Sequence, residues 1–208
     1  MDTRLRVGSA IGKTEEEVAH ELMAHLKERG HPDQPPAMAT DGKGDYRRAL
    51  VETWGQVPAY HGCWRPPTQQ KAQPEWQYVQ VIKERSGSQV TAVHIPVVYG
   101  DPDEVRDLMG GHTAYVERTN LTARQMHGRL VRESLSYAKQ LDALAAACAW
   151  EDWGYNLTRT VETLSLPVRD GRRRWTRQTP AMAAGLTAHI WTIQELLMPV
   201  VPPSAVNT

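Results

Sequence analysis

The sequence predicts an α/β fold, and three observations carry that expectation. Residues 3–11 (TRLRVGSAI) alternate Leu5 and Val7 with Arg4 and Arg6, the pattern of a half-buried strand. A helix signal follows directly, with Thr14 and Glu17 spaced as a capping box before Val18, Leu22, Met23 and Leu26. A second short apolar run, 35–40, then ends on Asp41 ahead of another helical stretch, 43–53, carrying Tyr46, Leu50 and Val51 on one face. Strand, helix, strand and helix in alternation is the order of an α/β chain.

Composition narrows the function classes. A chain of 208 residues, 40% apolar and 23% charged, can bury a core. Its 24 basic and 24 acidic residues cancel, so an argument for nucleic acid must rest on local patches. Cys63 and Cys148 stand far apart with no CxxC, which suggests neither a disulfide framework nor a cysteine zinc site. No apolar run approaches the ~18 residues of a membrane span. Asp2, Arg4 and Arg6 follow Met1 with no apolar signal region behind them. The expectation is a cytoplasmic protein with no membrane partner, in which Asn120 and Asn156 have no meaning as glycan acceptors despite their Asn-Leu-Thr contexts.

The first helix is expected to stop at Gly30 and Pro32. Residues 55–74, rich in Pro, Gly and Gln, read as a loop. QYVQVIKER and QVTAVHIPVVY read as a hairpin joined at Ser86-Gly87-Ser88. A short helix is expected over 101–108, ended by Gly110-Gly111. A long helical tract then runs from about Thr113 to about Trp150, broken near Gly128 or around Glu133-Ser134. Ser134 can cap its second part, with the stripe Leu135, Ala138, Leu141, Leu144, Ala145 and Cys148. Arg172 to Arg174 form a basic cluster, and Thr179-Pro180 and Thr187 open two short helices separated by Gly185.

Two motifs invite readings that physical chemistry opposes. GSAIGKT, 8–14, has three residues between its first glycine and the Gly-Lys pair, where a phosphate loop has four. Glu15, Glu16 and Glu17 would also repel a phosphate at that helix start. HELMAH, 20–25, places its two histidines five apart and thus about 140° apart around a helix, so they cannot share a zinc.

Asp41 has two readings. Asp-Gly ends strands as ordinary turn chemistry. Alternatively the acid stands at the carboxyl edge of a sheet, where open α/β folds keep their sites. A second carboxylate decides the matter, and YVERTNLTARQMHGRLVRESLSYAKQL, 115–141, offers Glu117 near a helix start. Arg118, Arg124, Arg129, Arg132 and Lys139 follow it against one acid, Glu133. On charge alone this is either a solvated basic helix or a DNA-facing one whose arginines grip phosphates.

The elements ATDG with Tyr46, YVERTNLTARQ, GRLVRESLSYAKQL and TPAMAAGLTAHIWTIQELL resemble, in order, the transposases of the insertion-sequence-one group. The resemblance runs from Asp2 to about Leu197. It implies a DDE-type enzyme with a ribonuclease-H-like three-layer fold, acting on DNA at insertion-sequence ends and on target DNA, as a homo-oligomer in its active assembly. In such enzymes acidic residues from distant parts of the chain clamp two divalent ions about 3.5–4 Å apart, which activate a 3′-hydroxyl or water and stabilise the leaving oxygen. Hard oxygen ligands suit Mg²⁺, with Mn²⁺ as a substitute. By resemblance Asp41 is the second acid and Glu117 the third, both catalytic and metal-binding. Arg118, Asn120, Arg124, Arg129, Arg132 and Lys139 are the implied DNA contacts.

The chain also departs from the family. It starts at what the resemblance makes the third strand, so the first two strands, the first catalytic aspartate and the amino-terminal DNA-recognition module have no counterpart. The resulting expectation is a partial catalytic domain over 1–155, with a loop and hairpin insertion at 55–100, and a tail with short helices over 156–208. This chain alone is expected to be weakly active or inert. Glu133 stands where the family has lysine and Ala138 where serine is common. The 75 residues between Asp41 and Glu117 exceed the spacing of compact members. The alternatives are a non-catalytic DNA-binding or regulatory remnant, and an unrelated α/β domain in which Asp41 only ends a strand.

Overall fold

The structure, a computed structural model, describes residues 3–109, 121–130, 135, 138–168 and 174–198. By its contacts the chain divides into two compact units, Ala10–Ser134 and a second made of Met1–Ser9 with Leu135–Thr208.

The first unit is mixed α/β. Helix α1 (Glu15–Glu28) leads to strand β1 (Met38–Asp41), helix α2 (Gly44–Trp54), strands β2 (Tyr78–Ser86), β3 (Gln89–His94) and β4 (Val97–Tyr99), and helix α3 (Pro102–Met109). β1 and β2 pair in parallel, Met38 opposite Tyr78 and Asp41 opposite Val81. On its other side β2 pairs antiparallel with β4 over its first residues and with β3 over its last. The sheet is therefore mixed, with β2 at its centre and, among the described residues, β1 paired with β2 only. The hairpin expected at 77–99 forms and pairs with β1, its first strand lying at the centre of the sheet. Gly87, at φ +61°, makes its turn. The return strand splits at Ile95-Pro96, because proline has no N–H for the ladder. Its carbonyl still accepts from Gln80 N at 3.1 Å, which keeps the two halves on one partner.

The core of this unit gathers Ala19 and Met23 of α1, Ala49, Leu50 and Trp54 of α2, and Trp76 and Tyr78 at the entry to β2. Met38, Tyr46, Val98 and Tyr99 pack around it. Trp54 is anchored through its indole N–H, which donates to His31 O at 2.7 Å. The cap of α1 is half of the expected box. Thr14 Oγ1 accepts from Glu17 N at 3.2 Å, but the Glu17 carboxylate accepts from Lys13 N instead of from the cap residue. His20 and His25 take separate partners, Glu52 of α2 and Glu21 of α1 respectively, as their angular separation requires.

In the second unit, helix α4 (Leu141–Leu157) is followed by the two-residue strands β5 (Leu166–Pro167) and β6 (Trp175–Thr176), then helices α5 (Pro180–Ala183) and α6 (Ile193–Leu197). Residues 3–11, expected as a strand, form none. The backbone of Arg6 is paired instead with the Asn156 side chain. The long tract does break near Gly128, where a helical stretch at 121–126 gives way to a 3-10 turn at Gly128–Leu130. The second part starts at Leu141 behind Gln140. Ser134, the expected cap, lies outside the described residues. Within the expected stripe Cys148 is buried, whereas Leu135, Leu141 and Ala145 are exposed. Thr179 caps α5 as expected. The last helix, however, is capped by Thr192 in a full box with Glu195, while Thr187 accepts from the Trp191 indole at 3.0 Å. Among the described residues no helix is long and apolar enough to cross a membrane.

Candidate functional site

Asp41 is the last residue of β1 and is exposed. Its Oδ1 accepts from Lys43 N at 3.3 Å, an Asx-type turn that explains Asp-Gly after a strand. The second carboxylate oxygen makes no hydrogen bond among the described residues. Both readings of the sequence are thus compatible with the position, because turn chemistry occupies only one oxygen.

The turn after β1 is fixed by side chains that sequence inspection missed. Thr40 Oγ1 lies 2.7 Å from the Tyr78 hydroxyl and donates to Asp41 O at 2.9 Å. Gln80 Nε2 in turn donates to Tyr78 Oη and to Lys43 O, both at 3.2 Å. The chain of bonds ties the end of β1 and the start of α2 to β2. Residues 40 and 80 stand opposite each other in the parallel register, which is why they can meet. Only knowledge of that register could have nominated them.

Charge around Asp41 is organised by Lys43, whose ammonium is ion-paired with Glu15 of α1. That hydrogen bond, opposed by some desolvation and aided by the charges of Glu15 and Asp41, raises the Lys43 pKa. Tyr46 and Tyr78 also titrate above the ordinary tyrosine value, chiefly because burial disfavours the phenolate, with the Asp41 charge adding to it. Hydrogen bonds from Thr40 and Gln80 act against that rise at Tyr78.

Beside this edge a groove of about 1040 Å³ opens between α2, residues 69–74 and the end of β4. Arg47, Arg48 and Lys71 line it with Glu52 and Tyr99. Two of its cations are engaged: Arg47 Nε donates to Tyr99 Oη at 3.1 Å, and Arg48 pairs with Glu16 at 2.9 Å.

The remaining expected site residues divide in two. Glu117, Arg118, Asn120 and Arg132 lie outside the described residues. Arg124 is exposed on the helical stretch at 121–126, Arg129 is exposed in the following 3-10 turn, and Lys139 is exposed just ahead of α4. Arg124 and Arg129 belong to the first unit and Lys139 to the second. As a metal ligand Asp41 has suitable chemistry, a solvent-facing carboxylate with an oxygen to spare. Among the described residues no group of three His, Cys, Asp or Glu side chains could hold an ion, so those residues supply one ligand and not a complete set. No family model, curated protein or solved structure matches the chain.

Proposed function

We propose that this chain is the metal- and DNA-binding part of a DDE-type transposase with a ribonuclease-H-like sheet, acting on DNA ends with Asp41 and Glu117 as carboxylate ligands. The observation that carries the reading is the place of Asp41. It is an exposed acid at the carboxyl end of β1, in a β1–α2–β2 parallel unit, and open α/β sheets use that edge for their sites. The sequence elements around Glu117 supply the rest of the support.

A bound Mg²⁺ would supply the Lewis acidity that phosphodiester cleavage and joining require. The residues of this chain do the remaining work. Asp41, steadied by the Thr40–Tyr78–Gln80 bonds, would offer oxygen to the ion. Arg124 and Arg129 hold phosphates, and each phosphate contact makes binding salt-dependent.

The test is DNA affinity with and without a divalent ion that supports binding but not cleavage, such as Ca²⁺. Affinity for a duplex end should rise with Ca²⁺, and the gain should vanish in Asp41→Asn and Glu117→Gln. Arg124→Ala and Arg129→Ala should weaken binding at every Ca²⁺ concentration and flatten its salt dependence, by about one counterion per lost contact. Binding indifferent to Ca²⁺ and to both carboxylates would leave a DNA-binding chain without a metal site. No binding at all would remove the reading.

A further inference from the structure

The groove between α2, residues 69–74 and the end of β4 has an apolar floor under a cationic rim. Val51, Ala72, Val98 and Tyr99 line it, each partly buried and packed on the core of the first unit. Apolar side chains left half open in a cleft favour an apolar group from a ligand. The rim carries Arg47, Arg48 and Lys71 against one acid, Glu52, which is itself paired with His20. These cations differ in what holds them. Arg48 is neutralised by Glu16. Arg47 is held by a neutral group, the Tyr99 hydroxyl, to which its Nε donates at 3.1 Å. That bond orients the guanidinium without cancelling its charge. Its two terminal nitrogens have no hydrogen bond among the described residues, and their fork matches a carboxylate. Lys71, exposed on the 69–74 wall, has no ion pair among the described residues.

The same wall offers backbone. Lys71 N donates to Gln56 O at 2.9 Å and Gln56 N donates to Lys71 O at 3.1 Å, one rung of an antiparallel ladder. Backbone groups alternate sides along an extended chain, so those of Gln70 and Ala72 fall on the edge turned away from Gln56. They have no hydrogen bond among the described residues. A segment with one edge tied down and the other free is where an extended peptide adds as a further strand.

We propose that this groove binds a short extended segment of a partner protein, one that carries an apolar residue between two acidic ones. Side chains alternate along an extended peptide, so a residue turned to the floor sets both of its neighbours toward the rim. Residues 44 to 52 of α2 line the groove over about 12 Å, room for about four extended residues. Charge decides the occupant. An acidic segment meets Arg47 and Lys71, whereas a basic one meets two cations with no acid to balance them. A nucleic-acid strand is the poorer fit, because it needs cations along a continuous path and Glu52 and the apolar floor interrupt this one. The inference uses none of the residues assigned to metal or DNA, so it stands or falls apart from the transposase reading.

Selection from a displayed library of random heptapeptides on the immobilised full chain tests it. The selected sequences should converge on an acid–apolar–acid core. One of them, resynthesised with a fluorescent label, should bind the full chain in fluorescence anisotropy. Arg47→Gln and Lys71→Gln should each weaken that binding about tenfold, for the loss of a charge-assisted bond. Both side chains are exposed, so circular dichroism should not change. Two altered peptides probe the same contacts without touching the protein. Lysine in place of the acids should abolish binding, and so should methylation of the backbone nitrogens that pair with the free edge. No enrichment, enrichment without acids, or full affinity in both variants would overturn the proposal. So would binding that survives backbone methylation. Displacement of the peptide by single-stranded oligothymidylate would overturn it as well, and give the groove to nucleic acid.

Discussion

Asn156 holds Arg6 by both of its backbone groups, accepting from Arg6 N at 2.9 Å and donating to Arg6 O at 2.8 Å. One side-chain amide thus supplies what a neighbouring strand would have supplied. The Arg6 guanidinium is held at the same time by Glu151 and Asp152 and lies over the Tyr155 ring. Asn156→Ala should therefore cost about 1–3 kcal/mol, the range for leaving partly buried backbone groups unsatisfied. Denaturant unfolding measures the loss. Hydrogen exchange should show lost protection at Arg6 before the rest of α4 is affected. Asn156→Asp keeps an acceptor and loses the donor, so its cost should be intermediate at neutral pH.

Tyr78→Phe removes the hydroxyl between Thr40 and Gln80. We expect a loss of about 1 kcal/mol, typical of one such bond. The effect should be local, with faster amide exchange at residues 41–43 and little change in α1. An unchanged exchange pattern at the β1–α2 turn would mean that the bonds do not hold Asp41 in place.

The same tyrosine gives stability an alkaline limit. Burial raises the pKa of both Tyr46 and Tyr78 above the ordinary value, with the Asp41 charge contributing. A group whose folded pKa is raised contributes stability that is complete below its unfolded pKa, near 10 for tyrosine, and lost as pH climbs through the folded value. Melting temperatures recorded from about pH 8 upward should fall above about pH 10. In Tyr78→Phe part of that fall should disappear, because one of the two titrating groups is gone. Asp41→Asn should also soften it, since the neighbouring negative charge is removed.

Gly100→Ala should be among the costlier single changes. Gly100 sits at φ +98°, and a Cβ there would lie 2.6 Å from Trp76 O and 2.8 Å from Val105 Cγ2. The backbone conformation and the clash oppose the substitution together, so a loss above about 2 kcal/mol is expected from thermal unfolding.

Local signals carried much of the fold. Thr14 before three glutamates, the Ser-Gly-Ser turn and Thr179-Pro180 each act within a few residues, and each forms the element its chemistry predicts. What failed was non-local. Leu5 and Val7 alternate with arginines as a strand would, but strandhood requires a neighbouring backbone, and Asn156 from 150 residues away took that place for Arg6. Thr187 and Thr192 both precede short apolar runs. Glu195 at the third position after Thr192 decides between them, by completing a reciprocal pair. Asp41 was legible as a strand-ending acid, while Thr40, Tyr78 and Gln80 around it became legible only with the register of β1 on β2.

The central claim is that Asp41 and Glu117 share a bound metal ion, and Fe²⁺-directed backbone cleavage tests it without needing a DNA substrate. Fe²⁺ placed in a Mg²⁺ site, with ascorbate and peroxide, cuts the chain beside its ligands. Cuts clustered next to both residue 41 and residue 117, suppressed by excess Mg²⁺ and absent from Asp41→Asn and Glu117→Gln alike, are the predicted result. Cleavage at one of the two positions that survives substitution of the other, or no Mg²⁺-sensitive cleavage at either, would contradict it.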